Sequence, residues 1–112
     1  MLLVNAQPHP ILDRPWSWEI SRVEWLAGDE DASSYLDVTF TRDGHSRKLR
    51  FIEPQDVTLE FDGQHSIQCG EMVILDIRDR QLDGLTVQVT EGGASGSPLR
   101  LDARAVTEIA LD

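Results

Sequence analysis

Two short phrases place a histidine beside an aspartate: Asp43-Gly44-His45-Ser46 and Asp62-Gly63-Gln64-His65-Ser66. Two imidazoles and two carboxylates are a donor set for zinc or another divalent ion. Asp43, His45, Asp62 and His65 are thus a candidate metal site, provided the two segments fold side by side. Neither phrase has tight ligand spacing such as His-x-His. Asp-Gly is also what a hairpin turn requires, and histidine is tolerated at an exposed tip. Turn geometry is the preferred reading, and no cofactor is expected.

Other routes to catalysis find little support. The chain has no G-x-S-x-G elbow, phosphate loop, H-E-x-x-H or dinucleotide fingerprint. Its single cysteine, Cys69, lies four residues from His65. Along a strand that spacing puts the two on one face but more than about 10 Å apart, too far for a thiolate–imidazole pair. Cys69 is read instead as a small buried apolar side chain. Asp76, Asp79 and Asp83 lack the ladder of a calcium loop. A non-enzymatic protein is expected.

Binding chemistry has three candidates. Trp16, Trp18 and Trp25 are the aromatic anchors; their strand-like spacing assigns them to the core, with Trp16 the most exposed because it adjoins the proline-rich segment. Arg42, Arg47, Lys48 and Arg50 are the basic cluster, an anion site or a solvated hairpin whose Arg50 pairs with Asp37. The second reading is preferred. The acidic loops, Asp29-Glu30-Asp31 and Asp79 with Asp83, suit a basic partner.

Twenty acids against ten bases give a net charge of −10. This disfavours nucleic acid and anionic membrane surfaces, where binding rests on basic residues. No segment approaches the roughly 18 apolar residues of a membrane span, and the apolar start lacks the basic region of a signal peptide. One thiol fits a reducing compartment, so the cytoplasm is the expected location. An acidic interaction domain of inhibitor or immunity type, meeting a basic protein through Asp29, Glu30, Asp31, Asp79, Asp83 and Trp16, is the favoured function. A small-ligand or metal-binding β-barrel and a self-associating subunit are the alternatives.

The elements that position these residues read as strands. With 112 residues, 40% of them hydrophobic, the chain forms one domain with one core. The segment to Pro15 is proline-rich and irregular. Trp16, Trp18 and Ile20 alternate on even positions and Val23 and Trp25 on odd ones, so a bulge or bend falls near Ser21-Arg22. A two-residue turn at Asp43-Gly44 sets Leu36 against Phe51 and Val38 against Leu49 on one face, and Asp37 against Arg50 and Thr39 against Lys48 on the other. A three-residue turn at Asp62-Gly63-Gln64 would set Leu59 against Ile67 and Val57 against Cys69 in a second hairpin. A third hairpin would pair Ile77 with Leu85, Leu75 with Val87 and Val73 with Val89. Residues 103–110 are read as strand, with a short helix as the alternative. Together these predict an all-β antiparallel sandwich or partly open barrel of about seven strands.

Overall fold

The computed structural model describes residues 7–30, 32–61, 64–80, 84–94 and 96–111. They form two antiparallel five-stranded sheets. In chain order the strands are β1 (Gln7–Pro8), β2 (Glu19–Leu26), β3 (Tyr35–Arg42), β4 (His45–Ile52), β5 (Gln55–Leu59), β6 (Ile67–Gln68), β7 (Met72–Asp76), β8 (Val87–Glu91), β9 (Leu99–Ala103) and β10 (Ala105–Ile109). One sheet has the order β1-β7-β8-β9-β5 and the other β10-β4-β3-β2-β6. The fold is all-β and sandwich-like, with no closed barrel. Ten strands stand among the described residues where about seven were expected; β1 falls in the segment read as irregular, and the carboxy-terminal strand is divided at Arg104 into β9 and β10.

The β3–β4 hairpin forms in the expected register, from Tyr35 opposite Ile52 to Arg42 opposite His45. Asp43 and Gly44 both have positive φ, 51° and 81°, as the tight turn that matches strand twist demands. The alternation then sorts itself. Leu36, Val38, Phe40, Leu49 and Phe51 are buried in the core. Burying each such side chain stabilises the fold by roughly 1.5–3 kcal/mol. On the outer face Arg50 grips Asp37 with two bonds of 2.9 Å and stacks 3.7 Å over the Tyr35 ring. The bulge in β2 also falls where the parity changes, between Ile20 and Arg22. Residues 105–109 are strand, so the helical alternative is not adopted.

The strands on either side of the second Asp-Gly phrase do not pair with each other. Its first arm, β5, pairs with β9, setting Leu59 opposite Leu99. Its second arm, β6, pairs with β2 in the other sheet, setting Ile67 opposite Ile20. The chain crosses between sheets here, and Phe61 and Ile67 pack against the core from either side of the crossing. Expected contacts between Leu59 and Ile67 are therefore replaced by long-range ladders. Local turn chemistry yields to closure of the core.

The third hairpin forms one residue out of the expected register: Ile74 faces Val89 and Leu75 faces Gln88. The reason lies in β7, which is apolar on both faces. Met72 and Ile74 enter the core, while Val73 and Leu75 lie beneath the proline-rich amino-terminal segment. Alternation cannot fix register on a strand covered on both sides.

Candidate partner-binding surface

Strand β2 is paired along its whole length with β3, but on its other side β6 pairs only with Glu19 and Ile20. Beyond the bulge, Arg22–Leu26 form an open sheet edge among the described residues. Trp25 stands opposite the fully buried Leu36, yet is 53% exposed; Leu26 beside it is 48% exposed. This corrects the assignment of Trp25 to the core. Its parity is inward, but it sits where no strand pairs beyond β2.

The chain leaves this edge directly into the acidic loop, which is closely built. The Asp29 amide donates to the Ala32 carbonyl (2.9 Å), and the Ala32 amide donates back to Asp29 Oδ1 (2.9 Å). A Cβ on Gly28 would lie 2.6 Å from the Ser34 nitrogen, so only glycine lets the loop close. The Glu53 amide donates to the Ser34 carbonyl at 2.8 Å and fastens the loop to the end of β4. Asp29, Glu30 and Glu53 line a cleft of about 410 Å³. Arg104 approaches Glu53 at 3.5 Å. Exposed apolar side chains thus adjoin clustered carboxylates on a single edge.

The other described contact candidates stand on other elements. Asp79 is exposed in the 3-10 turn Arg78–Arg80 after β7. Trp16 is 51% exposed, but it stands against Val73 on the outer side of β7. Asp31, Asp62 and Asp83 lie outside the described residues. Comparison with protein families, with curated proteins and with solved structures finds no match.

The described candidate metal residues, Asp43, His45 and His65, do not line one cleft. His45 and Asp43 line one cleft with Trp18 and Arg42, whereas His65 lines another with Glu60 and Phe61. Among the described residues no group of three or more His, Cys, Asp or Glu side chains is placed to hold an ion. The arms on either side of the second phrase, β5 and β6, belong to different sheets, so the described residues hold no second hairpin to set beside the first.

The basic cluster is engaged within the fold. Arg47 bonds Glu108 at 2.7 Å and the Ile11 carbonyl at 2.9 Å. Lys48, nearly buried, meets Glu24 at 3.3 Å. Arg42 bonds Ser17 Oγ at 2.7 Å and lies 4.2 Å over the Trp18 ring. The Arg47 bond also holds the Glu108 carboxyl below the usual range.

Two further features have structural roles. Cys69 is wholly buried, and desolvation pushes its thiol up to about 12, so it stays protonated near neutral pH. An apolar cleft of about 500 Å³ lies between the amino-terminal segment and β7. Its polar groups hold the segment itself: His9 Nδ1 accepts the Ile11 amide (3.2 Å), and the Asp13 carbonyl accepts the Trp18 indole N–H (2.8 Å). Burial lowers the His9 pKa, against the pull of Asp76. Ligand sites ordinarily add convergent polar groups to such a lining. Among the described residues no helix is long and apolar enough to cross a membrane.

Proposed function

We propose that the domain is a non-enzymatic interaction module that binds a basic protein partner through the open edge of β2 and the loop that follows it. The observation that carries this reading is the pairing of half-exposed Trp25 and Leu26 with the adjoining carboxylates of Asp29 and Glu30. Tryptophan supplies much of the affinity in protein interfaces, and a charged rim sets association rate and partner choice. The net charge of −10 steers the same class of partner from a distance. An inhibitor or immunity-type role in the cytoplasm is consistent with the lone buried thiol.

Affinity capture from native extract tests the reading. Wild-type protein should retain a basic protein, with retention falling as salt rises. Trp25→Ala should lose it, and Trp16→Ala should keep it. A captured partner that is acidic, or one indifferent to both salt and Trp25, would remove the proposal.

A further inference from the structure

We infer that the distal half of β2 takes up an extended basic segment of another protein as an added antiparallel strand. This rests on the interaction reading above and specifies its geometry. In an antiparallel ladder, each residue aims its N–H and C=O to one side, and successive residues alternate. The two-residue turn makes Arg42 and His45 a hydrogen-bonded pair, so the even residues of β3 bond to β4 and the odd ones face β2. The odd residues Thr39, Asp37 and Tyr35 stand opposite Arg22, Glu24 and Leu26. Val23 and Trp25 therefore direct their backbone groups outward, toward the open side.

The other end of β2 agrees. The Trp18 carbonyl accepts the Cys69 amide at 3.1 Å, and Ile20 pairs with Ile67, so even residues before the bulge face β6. The bulge at Ser21 exchanges parity, and the outward groups after it belong to odd residues. Two donors and two acceptors are left in line beside an exposed indole.

The remaining outer strands are guarded as edges usually are. Strands β1 and β6 are each two residues long, and β1 contains Pro8. Strand β5 is bulged, with Asp56 at φ 54°. Strand β10 exposes Thr107 and Glu108. Among the described strands, only the distal part of β2 carries exposed large apolar side chains within an unpaired stretch; Leu111, 50% exposed, lies beyond the end of β10.

Charge selects the occupant. A second copy brings its own net charge of −10 and, placed edge to edge, sets its own Glu24 and acidic loop against this edge. A basic segment meets Asp29 and Glu30 instead. Antiparallel addition continues the pattern of the sheet and places the segment's amino-terminal end beside Leu26 and the acidic loop, so its lysines or arginines belong there. An apolar residue falls opposite Trp25.

The probe is a short synthetic peptide with two amino-terminal lysines followed by alternating valine and threonine, titrated by NMR. With valines opposite Val23 and Trp25, N-methylation of the valines should cost at least about tenfold in affinity, as loss of paired backbone bonds requires. N-methylation of the threonines should change it by less than about twofold. Val23→Pro, which removes an outward N–H and spares the ladder to β3, should weaken binding similarly while the protein stays folded. Equal tolerance of both methylation patterns overturns strand addition but leaves side-chain docking at the same edge. Failure of the unmodified peptide to bind, or a concentration-dependent dimer through β2, also overturns it, whereas the captured partner tests the interaction reading separately.

Discussion

Sheet β10-β4-β3-β2-β6 has two flanks of different character. On the β10 flank, Thr107 and Glu108 are exposed, and Glu108 is tied back to Arg47 at 2.7 Å. Along the distal part of the β2 flank, Trp25 and Leu26 are exposed, with carboxylates just beyond. Both flanks are built on the same well-registered hairpin and share its core. Edges that carry charge resist pairing with other chains, whereas apolar ones invite it. On the proposed reading, the difference teaches that the charged β10 flank resists association and the apolar β2 flank receives a partner.

The largest effects separate packing from display. Leu36 and Trp25 stand opposite each other, but only Leu36 is buried. Leu36→Ala should cost about 2–5 kcal/mol in denaturant unfolding. Trp25→Ala should cost no more than about 1 kcal/mol, reflecting its partial burial. Equal losses would mean that Trp25 is structural after all, and the contrast between the flanks would fail.

Binding comes next in size. Trp25→Ala should reduce affinity for the captured partner by about 2 kcal/mol, close to 30-fold. Thr107→Ala on the opposite flank should leave affinity unchanged within error. Titration calorimetry of both variants gives the comparison directly, and an effect at Thr107 would reverse the assignment.

Charge should contribute less and depend on salt. Asp29→Asn with Glu30→Gln should slow association and weaken binding several-fold at low ionic strength, an effect fading as the Debye length shrinks toward about 3 Å in molar salt. Stopped-flow mixing at two salt concentrations measures it. A salt-independent loss would point to disruption of the Asp29–Ala32 turn rather than to electrostatics.

The smallest effect marks the guarded flank. Arg47 depresses the pKa of Glu108, so the folded state favours the ionised form. The resulting stability is present above the unfolded carboxyl value of about 4.3 and is lost as pH falls through the lower folded value. Because the pair is exposed, it should amount to about 0.2–1 kcal/mol. Glu108→Gln should remove that portion of the acid dependence in unfolding curves, without altering partner binding.

Much of this frame was legible in the residues. The turn at Asp43-Gly44, the pairing of Asp37 with Arg50 and the bulge near Ser21 follow from parity and turn chemistry over short distances. The second Asp-Gly phrase was misleading because both of its arms pair with distant strands, β9 and β2. No local pattern reports those partners. The register of β7 with β8 was ambiguous for a different reason, since Val73 and Leu75 are as apolar as Met72 and Ile74. The acidic loop at Asp29 could be found from charge alone. Trp25 could not, because alternation gives the face of a residue but not whether another strand reaches over it.

Residue-resolved amide exchange, on the free protein and on its complex with the captured partner, tests the account most directly. In the free protein the amides of Arg22, Glu24 and Leu26 should be protected by β3, while those of Val23 and Trp25 exchange rapidly. On binding, Val23 and Trp25 should slow, and Val106 and Glu108 on the opposite flank should not. Protection that appears along β10, or no change at Val23 and Trp25 in a saturated complex, would contradict the assignment of β2 as the binding edge.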